Sequence, residues 1–336
     1  MLNVPVELYM PGNKADAAPC EYLPENQCCK KISYCIRIEN SVNRKWNEIK
    51  EPESTMIIDF HVHTFHEQAR ADRKAHFSGE PEFKLLYDSP KSRMSDVPEI
   101  INMMDDEGVD ISVICGFPWR DPENFRRNND HVIEAVIRYP HRLKGLCCMD
   151  LFSKEAEKEV ERCLDAGISG VGELAFYKSG IDKACLERLD PVMEICMKKK
   201  LPVLIHTNEP VGHRYPGKTP NTLSQIYAMA KRYPENRIVL AHWGGGIFLY
   251  SLLKKEIGDV LKNIYYDTAA SPFLYDTRIY TYAKDLVGAE KILFGTDYPL
   301  LKPSRYAKEM KTAGISVSDM EKICGLNSAA LLGLTA

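Results

Sequence analysis

The sequence predicts a (β/α)8 barrel with an N-terminal extension and a C-terminal helix. Three observations carry this expectation. From about residue 56 onward, short β-rich runs alternate with amphipathic helical stretches, eight such runs follow one another, and the span 56–311 matches the roughly 250 residues usual for such a barrel. An open doubly wound sheet competes with it, but that arrangement normally places a Gly-rich turn after its first strand. Here that position reads His-Val-His.

The strands are expected at 56–60, 110–115 ("DISVIC"), 143–149 ("LKGLCCM"), 169–174 ("SGVGEL"), 202–206 ("PVLIH"), 237–241 ("RIVLA"), 264–268 ("IYYDT") and 291–295 ("KILFG"). Each is a short apolar, β-branched run bounded by polar or turn residues. Helical periodicity fills 122–139, 153–166, 185–200, 221–233 and 246–262, and Gly167, Pro140 and Pro234 stop three of these stretches. A last helix follows, with Ser318 and Glu321 spaced as a capping box. Residues 64–95 form a connection too long to be idle, and long loops in compact domains are often lids or binding loops.

Residues 1–54 read as a separate extension ahead of a barrel domain over 55–336, with one strand expected at 32–38. The extension holds Cys20, Cys28, Cys29 and Cys35, which lack the paired spacing of a zinc clip and read as ordinary thiols. The chain has 47 acidic and 44 basic residues, a net charge of -3, which gives no electrostatic case for nucleic acid or an anionic membrane. No run approaches 18 apolar residues, the start lacks a signal-peptide pattern, and eleven scattered cysteines suit a reducing compartment. A cytoplasmic protein is expected, with a homodimer as the default assembly.

The chemistry of such a barrel sits at the C-terminal ends of its strands. In "IIDFHVHTF" His61 and His63 are one residue apart, so a strand points them the same way. Reading on, strand 4 ends in Glu173, strand 5 in His206, strand 6 in His242 and strand 8 in Asp297. Four imidazoles and two carboxylates meeting in one small volume would leave buried groups without partners and carboxylates repelling, unless a cation joined them. A divalent metal is therefore expected, with His61, His63, Glu173, His206, His242 and Asp297 as its candidate ligands. Donors of this type without thiolates suit zinc best, with manganese, iron or nickel as other occupants. Two ions bridged by Glu173 would use all six groups. A single ion on His61, His63, His206 and Asp297 would leave His242 free as a general acid, and the residues do not choose between these.

The segments "DFHVH", "LIHTNEP", "LAHWGGG" and "LFGTDYPL", in that order at the strand ends, resemble the amidohydrolase superfamily, and with "GLNSAALLGL" they cover 56–336. The resemblance is to the amidohydrolase 2 branch, the group similar to aminocarboxymuconate-semialdehyde decarboxylase, while "GVGELAF" around Glu173 looks more like the TatD-like hydrolases. It implies ligand roles for His61, His63, His206 and Asp297, and for His242 either a second-metal or an acid/base role. Decarboxylases of this group often carry Glu where this chain has His61, so the resemblance implies hydrolysis of a small, anionic amide, lactone or ester by metal-activated water. In that reading Asp297 moves the proton, and the metal and His242 steady the oxyanion. The alternative is metal-dependent loss of carbon dioxide from a carboxylated aromatic or muconate-type acid, with His242 or Asp297 as the proton source. A non-catalytic metal or metabolite binder is the third reading.

Substrate contacts are expected from loops on the same face. His213 and Lys218 in "TNEPVGHRYPGK" offer cationic groups to an anion. Trp119 in "GFPWRDP" is expected either against the substrate or as an apolar cap on the barrel. His66 and His76 are expected at the surface. Asp267 on strand 7 is expected behind the ligands rather than among them.

Overall fold

The computed structural model describes residues 56–334; the expected extension, its strand and its four cysteines lie outside the described residues. Eight parallel strands run in chain order: β1 (Ile58–His63), β2 (Ile111–Cys115), β3 (Leu143–Gly145), β4 (Val171–Leu174), β5 (Pro202–Ile205), β6 (Arg237–Leu240), β7 (Ile264–Asp267) and β8 (Ile292–Leu293). Helices α1 (Val97–Glu107), α2 (Pro122–Arg138), α3 (Ala156–Asp165), α4 (Lys183–Lys199), α5 (Leu223–Arg232), α6 (Lys255–Val260), α7 (Ile279–Val287) and α8 (Pro303–Thr312) return the chain after each strand.

Regular ladders join β1 to β3 and β4 to β8. Two single bridges, Cys147 to Val171 and Val62 to Tyr298, link these sheets into a ring. Backbone bonds confirm both seams, with Cys147 N–H on the Gly170 carbonyl at 3.1 Å and Phe60 N–H on the Phe294 carbonyl at 2.8 Å. The (β/α)8 barrel expected from the sequence is the fold observed.

Strand alternation sorts the apolar residues into two layers. Val203, Ile205, Ile238 and Leu240 pack with helix residues such as Ile100, Val160 and Leu189. Ile58, Val113, Leu204, Val239 and Leu293 form a second cluster with no residue of α1 to α8, closed by Ala329 and Leu331 of the terminal helix, Asn327–Leu332. The second cluster is therefore the barrel interior, and His206 lies on the same face of β5 as Leu204.

Several boundaries differ from expectation for local reasons. The helix expected over 246–262 is a run of tight 3-10 turns over His242–Leu252 followed by the short α6, because residues 243–246 adopt left-handed backbone. "WGGG" permits this: Gly245 has φ 61°, and a Cβ there would meet the Asn208 carbonyl oxygen at 2.3 Å. The terminal cap is Ser316, which accepts from Asp319 N–H, two residues before the expected Ser318. The long 64–95 connection holds short helices Glu67–Ala71 and Pro81–Tyr87. His66, expected at the surface, is buried and caps the first of these by accepting from Ala69 N–H. No helix among the described residues is long and apolar enough to cross a membrane.

Candidate metal centre

The seam between β8 and β1 positions the first group of side chains. Only two residues of β8 form a ladder, and the β1 register shifts between Asp59 and Val62. Side chains take over there. Asp59 Oδ1 accepts from His61 N–H at 3.2 Å and Thr296 N–H at 3.0 Å, and its Oδ2 accepts from Thr296 Oγ1 at 2.5 Å. Burial pushes this carboxyl up to about 7 against the pull of those bonds. Asp297 N–H then donates to the His61 carbonyl at 2.9 Å, which sets the strand 8 carboxylate beside the two histidines.

His61 is fully buried, and its Nδ1–H donates to Asp267 Oδ2 at 2.8 Å. His63 turns Nδ1 outward to the Gly116 carbonyl at 3.4 Å and Cys115 Sγ at 3.6 Å. With those protons committed, the two Nε2 lone pairs face each other at 3.1 Å. Asp297 Oδ1 lies 3.1 Å from His63 Nε2 and 3.9 Å from His61 Nε2, and Glu173 Oε2 lies 3.5 Å and 3.4 Å from the same atoms. A cation with bonds of about 2.1 Å holds neighbouring donors about 3.0 to 3.4 Å apart. The His61–His63, His61–Glu173 and His63–Asp297 separations fit that spacing, His63–Glu173 at 3.5 Å is close to it, and His61–Asp297 at 3.9 Å is wider.

Glu173 turns its other oxygen to a second group. Its Oε1 is 3.0 Å from His206 Nδ1 and 3.6 Å from His242 Nε2. His206 Nε2–H donates to the Gly217 carbonyl at 2.9 Å, and His242 Nδ1–H to the Ala269 carbonyl at 3.0 Å. Asp267 anchors both groups, since its Oδ1 also accepts from His242 N–H at 2.8 Å. Five of the six expected ligands therefore converge as two triads sharing Glu173, His61–His63–Glu173 and Glu173–His206–His242, and Asp297 stands beside the first, 3.1 Å from His63 Nε2.

The electrostatics favour positive charge at this point. Burial opposes charge on His61, but the Glu173 and Asp267 carboxylates outweigh it and hold the imidazole well above its usual range. His63 is raised in the same way, against burial, by Cys115 and Asp297. Glu173 is held well below its usual range: burial works against its charge, and His61 and His206 more than compensate.

Above the donors opens a cavity of about 720 Å³. His63, Glu173, His206, His242 and Asp297 reach its floor, while Tyr87, Phe117, Tyr177, Phe273, Leu274 and Leu300 are among its walls. Lys91 and Arg93 from the first long loop and His213 from the loop after β5 also line it. The sequence reading missed Tyr87, Phe117 and Phe273, which lie in short connecting segments, Tyr87 and Phe273 in the brief helices Pro81–Tyr87 and Ser271–Leu274, with no periodic pattern to mark them.

Two expected substrate contacts are placed elsewhere. Trp119 is completely buried, donates to Asn128 Oδ1 at 3.2 Å and packs 4.1 Å from the Phe83 ring, centroid to centroid, so it caps the apolar core. Lys218 does not line the cavity. Its ammonium is consumed by Glu209 Oε1 at 2.9 Å and by the carbonyls of Val211 and His213 within its own loop.

Comparison with known proteins agrees with this geometry. The family model described as amidohydrolase matches residues 58–334. A gamma-resorcylate decarboxylase from Polaromonas sp. is 24% identical over 284 residues, 69% of this chain and 86% of its own length. A 2-amino-3-carboxymuconate-6-semialdehyde decarboxylase from Dictyostelium discoideum is 26% identical over 282 residues, 70% and 76% of the two chains. Among solved structures, 5-carboxyvanillate decarboxylase from Sphingomonas paucimobilis superposes with a TM-score of 0.65 at 19% identity, over 84% of this chain and all of that one. A dihydroxybenzoic acid decarboxylase from Polaromonas sp., bound to manganese and the inhibitor 2-nitroresorcinol, gives 0.63 at 19% identity over 83% and 97%. These relatives are decarboxylases, which overturns the expectation of hydrolysis drawn from His61. Sequence motifs, donor geometry and the family match agree that the chain belongs to the amidohydrolase family.

Proposed function

We propose that this chain is a metal-dependent, non-oxidative decarboxylase of a small carboxylated aromatic acid. The observation that carries the reading is the set of four donor atoms, from His61, His63, Glu173 and Asp297, at the floor of an aromatic-walled cavity. A single divalent cation would be held by these residues, with His206 and His242 on the other carboxylate oxygen, Glu173 Oε1. Imidazole and carboxylate donors suit manganese as well as the zinc expected from the sequence, and the manganese in a relative's structure favours manganese. When bound, the ion supplies a fixed positive charge that grips an anionic oxygen of the substrate.

The chain's own side chains do the rest. Aromatic walls hold the ring flat, and Lys91 and Arg93 favour entry of an anion. Loss of carbon dioxide needs a proton at the ring carbon bearing the carboxylate; the electron pair of the breaking carbon–carbon bond then returns to the ring. In this reading His242 delivers that proton. Its Nδ1–H is committed to the Ala269 carbonyl, so Nε2 is the nitrogen that works at the cavity floor. Asp297 is the more open carboxylate, 19% exposed against 9% for Glu173, and orients the substrate beside His63.

The test is release of carbon dioxide from 2,6-dihydroxybenzoate and 5-carboxyvanillate by protein stripped with chelator and reloaded with manganese or zinc. Metal-dependent release from at least one acid, with about one ion per chain, is expected. Hydrolysis of esters or lactones without decarboxylation of any acid overturns the reading, and two ions per chain overturn the single-ion site.

A further inference from the structure

The walls of the cavity contain two phenols with nothing to bond to. Tyr87 comes from the end of the Pro81–Tyr87 helix and Tyr177 from the loop after β4, so they approach the cavity from different strand ends. Their rings are well held. Tyr87 lies between Phe83, at a centroid distance of 4.9 Å, and Phe65, at 5.1 Å; Tyr177 stacks on the His206 ring at 6.2 Å with 25° between planes. Neither hydroxyl has a hydrogen-bond partner among the described residues, and neither belongs to the sealed, unpartnered polar atoms of the interior.

Both residues line the cavity whose floor holds Glu173 and Asp297. Burial raises both phenols, and each also feels the charges of Glu173 and Asp297, with Tyr177 feeling Tyr87 as well. A tyrosine in a wall that needed only apolar surface would serve as well as phenylalanine, and Phe117 and Phe273 serve that way in the same cavity. Two well-held rings lining one cavity, each ending in a hydroxyl without a partner among the described residues, make a site that rewards an oxygen on the substrate and leaves a polar group unmatched when it is missing.

We infer that Tyr87 and Tyr177 are the specificity-determining pair of this cavity, donating their phenol hydrogens to an oxygen substituent on the ring of the bound acid. The inference rests on the cavity receiving an aromatic carboxylate, but not on that acid being decarboxylated. The pair sets which acid is held: a ring with a hydroxyl beside its carboxylate is preferred over the bare ring.

Binding, rather than turnover, is the measurement. Manganese-loaded protein is titrated calorimetrically with benzoate and with 2-hydroxybenzoate, as wild type, Tyr87→Phe, Tyr177→Phe and the double variant. Wild type is expected to prefer 2-hydroxybenzoate by roughly ten-fold or more, each single variant to lose part of that preference, and the double variant to lose nearly all of it. Benzoate affinity is expected to stay within about two-fold throughout, which also reports that the variants fold with the cavity intact. A preference that survives in the double variant overturns the inference, as does a wild type that binds neither acid or both equally. If no acid is decarboxylated yet the preference behaves as stated, the proposed function falls and the binding assignment stands.

Discussion

The floor and the wall of the cavity are held by different means. At the floor, imidazoles are fixed from behind by groups on or just after other strands: Asp267 of β7 holds His61, the Ala269 carbonyl holds His242, and Asp59 clamps β1 to Thr296 beside Asp297. In the wall, two loops are shaped by cations that gather main-chain carbonyls. Arg73 donates to the carbonyls of Tyr87, Ser89 and Ser92 at 3.3, 3.1 and 2.9 Å, and Lys218 does the same for Val211 and His213. The floor therefore inherits its geometry from the barrel, and the wall from single basic residues within each loop. Charge at a strand end belongs to the chemistry; Arg73 and Lys218 belong to the architecture.

The largest effect is expected at the floor. His242→Asn removes the nitrogen proposed to carry the proton but none of the four donors around His61, so kcat is expected to fall roughly 10²- to 10⁴-fold. Bound manganese, measured on the purified variant, is expected to stay near the wild-type ratio. A loss of metal in step with activity would make His242 a ligand and break the division of the floor into a cation group and a proton group.

A smaller effect is expected one layer back. Asp267 does not itself line the cavity, yet it fixes the ring of His61 and the backbone of His242. Groups that orient metal-binding imidazoles typically contribute ten- to a hundred-fold in affinity or activity. Asp267→Ala is expected to weaken manganese binding by roughly that factor, read by competition with a chelator. Wild-type metal affinity in this variant would mean that the strand ends alone position the histidine.

This contrast also explains what the sequence discloses. The barrel and the floor were legible because strand ends recur at regular intervals and few residue types follow an apolar run with His, Glu or Asp unless they are used. His63, Glu173, His206, His242 and Asp297 reach the cavity floor, with His61 buried against His63 and Glu173. The wall was not legible, because a basic or aromatic residue in a loop carries no period. Trp119 and Lys218 have the chemistry of substrate contacts and the positions of a core residue and a loop staple. Tyr87 and Phe273, which do line the cavity, look in sequence like any other aromatic. Activity class was misread for a related reason: ligand identity reports what holds a cation, and says little about which bond is broken beside it.

The smallest effect tests the wall directly. The loop after β5 brings His213, Tyr215 and Gly217 to the cavity, and the Gly217 carbonyl also receives the His206 Nε2–H. Lys218, 11% exposed, ties that loop together through Glu209 and the two carbonyls, and Tyr215 adds a bond to Glu209 Oε2 at 3.0 Å. Lys218→Met keeps the aliphatic stem and deletes the ammonium. The loop then loses its internal fastening but retains Tyr215 and the bond from Thr219 N–H to Asn208 Oδ1 at 2.8 Å. KM is expected to rise about three- to ten-fold, with kcat within about two-fold, because a partly exposed charged hydrogen bond is worth only a fraction of its buried value. A rise beyond a hundred-fold, confined to anionic substrates, would put the ammonium on the substrate itself. Lys218 would then act as the cationic contact expected from its sequence position, and the division between floor and wall would fail at the residue that best illustrates it.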